Sequence, residues 1–286
     1  MNFLTGRKQA VYHNGTLTDY IHINQSIVQG SGLGPILYII YAADLRTIST
    51  DNVIIKYADD TTLISPQHTD TDISMEFQHL LDWAANNRLT INLKKTVEII
   101  ICKPRFRLIS KPDLLPDIQR VEVAKLLGVF LTTRLTMDEH VNFVLSTINQ
   151  RYYLLCQLKK QGLPLAALNI IFHALVISRI EYALPCFAGF LSDANTNRIN
   201  ATLKKAVRWN ITDLNITVQD IIDRTDLGLF NKIQSAGHCI NSLLPPCTPA
   251  SSFYDLRPRG HPLTLPTFKT AHFKHSFITR ALYKFK

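Results

Sequence analysis

Paired cysteines, a long apolar run and low-complexity tracts are what this sequence lacks. Its five cysteines, at 102, 156, 186, 239 and 247, include no Cys-x-x-Cys pair and match no zinc-ligand spacing. An odd, scattered set of this kind reads as reduced thiols in an intracellular protein, with nucleus and cytoplasm not distinguished. His272 and His275 stand three apart without a second ligand pair, so no zinc is expected. The opening residues, Met1-Asn2-Phe3-Leu4-Thr5-Gly6-Arg7-Lys8, put charge where a secretory leader has its apolar core. No run reaches the roughly 18 apolar residues of a membrane helix. The nearest, 163–191, is interrupted by Asn169, His173, Arg179 and Glu181 and reads as a buried helix, so no membrane partner is expected.

Against these absences stand a large apolar content and an uneven charge. Apolar residues make up 46% of the 286, enough to bury one large core or two smaller ones without staples. Residues 1–150 carry 14 Lys/Arg against 15 Asp/Glu, whereas residues 151–286 carry 17 against seven. A near-neutral half is thus joined to a half with a net of +10. Basic halves attract polyanions, nucleic acid above all, although a solvated face kept soluble by charge has the same composition.

The hydrophobic period changes along the chain. Asn14-Gly15, between the runs 9–12 and 17–23, predicts a hairpin. Gly30, Gly32 and Gly34 punctuate a loop, and Pro35 suits the first turn of a helix over 36–45. The β-branched runs 53–57 and 61–65, separated by Ala58-Asp59-Asp60, predict a second hairpin with two acids at its tip. Ile73, Phe77, Leu80, Leu81 and Ala84 share one face of a helix over 72–88. Strands are predicted at 90–93, 96–102 and within 122–131, around a loop over 103–117. Thr136-Met137-Asp138-Glu139 has capping-box form and opens an apolar stripe that runs to Gly162. Helices follow near 165–183, 193–209, 217–224 and 229–243, broken at Pro185, at 210–212 and at Gly228. The expected class is α+β. An antiparallel sheet holding 53–57, 61–65 and 96–102 has helices on one face, up to about residue 134. An all-α region over 135–245 follows, then a basic, irregular tail over 246–286.

Two features carry chemistry. Asp59 and Asp60 are adjacent carboxylates, whose repulsion is costly unless a divalent cation neutralises it. An ordinary solvated turn remains the plainer reading of such a pair taken alone. Gln29-Gly30-Ser31-Gly32-Leu33-Gly34-Pro35 leads straight into a helix, so small residues and free N–H groups could approach phosphate or sugar oxygens. An ordinary glycine loop is the plainer reading there too.

Order and spacing together are more specific. The sequence resembles the reverse-transcriptase domain of non-LTR, LINE-type (jockey-like) retrotransposons. Phe3-Leu4-Thr5-Gly6-Arg7-Lys8-Gln9 resembles the segment before the family's glycine loop. Val28-Gln29-Gly30-Ser31-Gly32-Leu33-Gly34-Pro35 resembles that loop, with Val28 where a proline is usual. Tyr57-Ala58-Asp59-Asp60-Thr61 resembles the metal-binding hairpin, and 83–96, with Asn87, Leu89, Asn92, Lys95 and Thr96, the helix and strand after it. Leu126-Leu127-Gly128-Val129 resembles the hairpin that grips the primer. The likeness covers 1 to about 135 and continues more faintly through His140 and Arg179-Ile180-Glu181-Tyr182-Ala183, similar to the helical thumb.

The resemblance implies a partial polymerase palm over 1–134 and a thumb-like region after it. It implies RNA-directed DNA synthesis by two-metal nucleotidyl transfer, with RNA template, DNA primer or duplex, and deoxynucleotides as partners. Asp59 and Asp60 would hold Mg²⁺. Lys95 would act as an acid or charge stabiliser near the leaving phosphate. Gln29, Gly30, Ser31 and Tyr57 would border nucleotide and template, and Leu127 and Gly128 would grip the primer. In this family another metal-binding Asp lies upstream of the Phe3 segment, and none of Asp19, Asp44 or Asp51 sits in its context. A truncated chain with little activity is therefore expected. The alternative is a non-catalytic nucleic-acid-binding remnant that uses the basic helical half. A nucleotide cyclase, another palm-type enzyme, fits less well with a glycine loop upstream of the acid pair.

Overall fold

The computed structural model describes residues 5–23, 30–102, 111–247 and 260–286. The chain divides into two compact units. One comprises residues 1–95 with 112–117; the other comprises 96–111 with 118–286. The division falls inside the segment expected to be a single palm, not at residue 134.

The first unit opens on two nested ribbons. β1 (Arg7–Gln9) pairs antiparallel with β4 (Ile21–Ile23), and between them β2 (Tyr12–His13) pairs with β3 (Thr16–Leu17). The inner turn is Asn14-Gly15, with both residues at positive φ (48° and 79°), the twist a two-residue hairpin requires. Helix α1 (Gly34–Tyr41) starts with Pro35 in its first turn. β5 (Val53–Tyr57) and β6 (Asp60–Ile64) form the second hairpin, in register from Val53↔Ile64 to Tyr57↔Asp60. Helix α2 (Ile73–Asn86) follows and buries Phe77, Leu80 and Ala84, the face its spacing predicts. Ala42 and Leu45, just beyond α1, are buried as well. Val53, Ile55 and Tyr57, on one face of β5, stay exposed.

The expected three-stranded sheet is not formed. Among the described residues β5 pairs with β6 alone, and of 96–102 only β7 (Val97–Glu98) is extended; its partner is β8 (Gln119–Arg120), in parallel. An ion pair holds it there, Arg120 Nε to Glu98 Oε2 at 2.7 Å, and Val121 N–H donates to the Glu98 carbonyl at 2.8 Å. The predicted strand at 90–93 is absent; residues 93–95 form a turn.

The second unit is mostly helical. β9 (Val123–Leu126) and β10 (Val129–Thr132) form a hairpin beside α3 (Asp138–Lys160). The expected capping box at Thr136 is not made. Thr136 N–H donates to Thr132 Oγ1 at 2.9 Å, α3 begins after Met137, and no side chain caps it. A capping box does form at Thr217–Asp220, opening α8 (Val218–Ile233). Helix α8 runs through Gly228, which was expected to break it. Between these lie α4 (Leu165–Phe172), a π turn at His173–Ile177, α5 (Ser178–Glu181), α6 (Leu184–Phe187) and α7 (Asp193–Arg208).

The run Leu165–Phe190 is long and apolar enough to cross a membrane by length and composition. It breaks at Ala183, at φ 55°, and contributes Phe172, Val176, Ile177, Ile180 and Leu184 to the core shared with α3, α7 and α8. The tail expected to be irregular contains α9 (Ala271–His275) and α10 (Phe277–Lys284). Ala281 and Leu282 of α10 pack with Phe230 and Ile233 of α8. Arg280 pairs with the fully buried Asp226 at 2.8 Å and fixes that helix electrostatically.

Candidate active site

The acid pair sits where the sequence predicts, at the tip of the β5–β6 hairpin. The turn is Ala58-Asp59, and Asp60 is the first residue of β6. Neither Gly nor Asn occupies the position that needs a left-handed backbone. Ala58 takes it, at φ 50°. For a residue with a Cβ this costs about 1–2 kcal/mol, the kind of strain that persists where surrounding structure over-determines it. Both carboxylates are exposed, and among the described residues neither has a hydrogen-bond or ion-pair partner. No group of three or more His, Cys, Asp or Glu positioned to hold a metal occurs among the described residues. Asp59 and Asp60 therefore offer two free carboxylates to a cation, with the remaining positions left to water or to phosphate oxygens. Mg²⁺ commonly binds in this way, through one or two carboxylates and its substrate's phosphates.

Two residues that the sequence reading passed over connect this tip to α1. Burial, and then the neighbouring Asp59 carboxylate, push the Tyr38 hydroxyl above its ordinary pKa, and Tyr41 adds to the effect. Tyr38 thus lies in the field of Asp59, one helical turn after Gly34. Lys56, three residues before Asp59, donates from Nζ to the carbonyls of Ala42 (2.6 Å) and Leu45 (3.0 Å). Burial lowers its pKa, as does Arg46, while Asp44 opposes them. Helix periodicity from Gly34 would have flagged Tyr38. Nothing in the sequence would have flagged the Lys56 contact, because its acceptors are backbone.

The glycine loop is partly visible. Gln29 lies outside the described residues. Gly30 has φ 80°, and Ser31 Oγ accepts from Gly34 N–H at 3.1 Å, closing the turn into α1. The Ser31 hydroxyl thus shapes the loop. Tyr57 is 65% exposed beside the aspartates. Lys95 is exposed in the turn after α2, and its N–H contacts Asn92; no contact joins it to Asp59 or Asp60 among the described residues.

A second predicted element is well formed within the other unit. Leu127 and Gly128 make the β9–β10 turn, with φ 45° and 89°. Tyr182 donates its hydroxyl to the Leu127 carbonyl at 2.6 Å. A Cβ on Gly128 would stand 3.1 Å from Cε1 of the same ring, a tight contact, and the φ of 89° itself favours glycine there.

Residues 2–131 match the family model described as reverse transcriptase (RNA-dependent DNA polymerase). This segment belongs to the reverse-transcriptase family. Among curated proteins, the chain is similar to the probable RNA-directed DNA polymerase from transposon X-element of Drosophila melanogaster. The two are 25% identical over 221 residues, which is 72% of this chain and 24% of that protein. The RNA-directed DNA polymerase from mobile element jockey, from the same organism, is also 25% identical, over 223 residues, with the same shares. The probable RNA-directed DNA polymerase from transposon BS is 26% identical over 218 residues, 71% of this chain and 24% of that protein. The chain thus spans about a quarter of the length of these relatives. Their match covers more of the chain than the reverse-transcriptase segment does, so the likeness runs on into the helical unit. No solved structure matches the chain. The segment's likeness is to the reverse-transcriptase domain that non-LTR, jockey-like retrotransposons encode, as the transposon relatives support.

Proposed function

We propose that this chain is part of an RNA-directed DNA polymerase of a retrotransposon, intracellular in setting, with a palm-like first part and a thumb-like helical part. One observation carries the reading: two adjacent, exposed, unpaired carboxylates on a strained two-residue turn, inside the segment that matches the reverse-transcriptase family. Asp59 and Asp60 would hold Mg²⁺, which supplies charge neutralisation for the nucleotide's phosphates. Gly30, Ser31 and Tyr57 would border template and incoming deoxynucleotide. Lys95 would sit by the leaving pyrophosphate, and the Leu127-Gly128 turn would hold the primer strand. Two carboxylates with no third protein donor among the described residues would bind a hard cation weakly, so this chain by itself would extend primers poorly.

The test is template-directed deoxynucleotide incorporation by the purified chain in Mg²⁺, alongside Asp59→Ala. Incorporation at the edge of detection and unaffected by the substitution is expected. Brisk incorporation abolished by Asp59→Ala would overturn the low-activity part of the reading. Failure to retain RNA–DNA duplex at low salt would overturn the polymerase assignment itself.

A second reading, nucleic-acid binding without catalysis, is favoured by α7. Its buried face is Ile199, Leu203 and Ala206, and Lys204 and Arg208 are exposed on the same helix. Lys205 lies 4.3 Å from the Trp209 ring centroid, so charge and an aromatic surface adjoin.

A further inference from the structure

Lys56 stands three residues before Asp59 and one before Tyr57. A lysine so near two exposed carboxylates would ordinarily pair with one of them. It does not: among the described residues no ion pair joins Lys56 to a carboxylate. Strand alternation puts its side chain on the face of β5 opposite to Tyr57, and the pairing Tyr57↔Asp60 puts Asp60 on the Tyr57 face. The ammonium goes instead to the Ala42 carbonyl at 2.6 Å and the Leu45 carbonyl at 3.0 Å. The acid pair is thus left without the cation that stands nearest to it in β5.

The two acceptors make this a tie to a fixed point. Ala42 caps α1, Leu45 follows it, and both side chains are buried. Helix α1 is eight residues long, a rod of about 12 Å at about 1.5 Å per residue. Its other end is set by Ser31, whose Oγ accepts from Gly34 N–H at 3.1 Å. One rod therefore carries the glycine loop at its start and, through Lys56, the acid hairpin at its end. An independent observation shows that the tip is held. Ala58 stays at φ 50°, a conformation that a residue with a Cβ keeps only where its surroundings impose it. The pair Lys56↔Thr61 is the rung directly behind Tyr57↔Asp60, so the tie acts immediately behind the turn.

We propose that Lys56 is a positioning residue for the acid pair: its ammonium, held by the Ala42 and Leu45 carbonyls, fixes Asp59 and Asp60 relative to the glycine loop and stays off their carboxylates, which remain open to a divalent cation. In this role Lys56 touches neither cation nor nucleotide. It acts through the strand that carries the ligands, as groups behind a metal site orient its ligands from outside. The assignment rests on the reading of Asp59 and Asp60 as the cation site.

The test titrates the full chain with Mn²⁺, which takes the same oxygen ligands as Mg²⁺ and is counted, when free, by electron paramagnetic resonance. The quantity read is the component of binding that Asp59→Asn removes. Two effects of Lys56→Met have opposite signs. With one cation fewer nearby, Coulomb attraction alone should tighten Mn²⁺ binding by about twofold. Loss of position should weaken it by about fivefold or more, less than the roughly 10–100-fold seen where the lost group bonds a ligand directly. Net weakening is expected, and Lys56→Arg, which keeps charge and donors, should restore binding to within about twofold of the parent. Circular dichroism checks that each variant is folded. Lys56→Gln, too short to reach both carbonyls, replaces Lys56→Met if that variant unfolds, with the same weakening expected. Tighter or unchanged binding in Lys56→Met, or weakening that Lys56→Arg shares, would overturn the positioning role and leave the metal reading standing. Binding that Asp59→Asn leaves intact would overturn the metal reading, and this assignment with it.

Discussion

Lys56 Nζ lies 2.6 Å from the Ala42 carbonyl, so the hairpin that carries Asp59 is tied to the end of the helix that the glycine loop begins. A lysine at a helix C-terminus meets the negative end of the macrodipole and satisfies carbonyls that the helix cannot. The two motifs that mark the family in sequence, 25 residues apart between Gly34 and Asp59, are therefore coupled through backbone acceptors.

Removing that tie should loosen the tip. Lys56→Met keeps most of the aliphatic stem and loses the two donors. We expect a stability loss of about 1–2 kcal/mol, toward the lower end for charge-assisted bonds because the lysine is partly in water. Chemical denaturation of the two proteins measures it. An unchanged midpoint would show that the contact contributes nothing.

The strained turn makes a prediction with opposite signs. Ala58 is held at φ 50°. Ala58→Gly relieves the Cβ clash and raises the flexibility of the unfolded chain, so stability should rise by no more than about 1 kcal/mol. Ala58→Val puts a β-branched residue into the left-handed region and should cost more than about 1 kcal/mol. If thermal melting ranks Val above Gly, strain at this turn is not the controlling quantity.

Glu76 is the buried anchor of the segment before the hairpin. It is 0% exposed and accepts from Ile48 N–H (3.0 Å), Ser49 N–H (2.8 Å) and Asn52 Nδ2 (2.8 Å). Burial acts to raise its pKa, but the bonds from Asn52, Ser49 and Ile48, with His79 adding to them, hold it below the ordinary glutamate value. A depressed carboxylate stabilises the fold fully above its unfolded value, about 4.3, and loses that contribution as pH falls through the folded value. Glu76→Gln should therefore flatten the acid limb of the stability curve. Glu76→Ala, which strands three donors, should cost about 2–4 kcal/mol at neutral pH. Parallel acid limbs for Glu76→Gln and the parent would rule this account out.

What was legible in the sequence follows from how local each feature is. The Asn14-Gly15 ribbon and the Asp59-Asp60 tip were readable because turn chemistry and flanking β-branched runs decide them within about ten residues. The Phe77, Leu80 and Ala84 face was readable from its period alone. The pairing of 97–98 was not, since Glu98 finds Arg120 across 22 residues and the isoleucines after it give no register. Thr136 looked like a cap but bonds with Thr132, whereas Thr217 and Asp220 form the box with Asp in the place of the usual Glu. Gly228 stays helical because α8 is packed on both sides of it, through Ile222 and Asp226 before it and Phe230 after it. Of the candidate site, residue types and order were legible. The contacts of Tyr38 and Lys56, and the unpaired ring nitrogens of His140, depend on tertiary packing.

His140 ties the stability of the fold to pH. Its imidazole is buried beside Phe187 with both nitrogens unpaired, and burial lowers its pKa below the ordinary 6.5. The folded protein therefore resists a proton that the unfolded chain accepts. Stability is greatest above about pH 6.5 and falls as pH drops below it, the direction opposite to that of a histidine with an anionic partner. His140→Leu removes the orphan polar atoms and the proton uptake together. At pH 8 the variant should be stabler by at most about 1 kcal/mol, since apolar replacement of unpaired polar groups is neutral to favourable and some ring contact with Phe187 is lost. At pH 5 its advantage should be larger, because only the parent loses the histidine contribution. Urea unfolding of both proteins across that range gives the difference directly. Parallel pH dependence of stability for the two proteins between pH 8 and pH 5 would rule this account out.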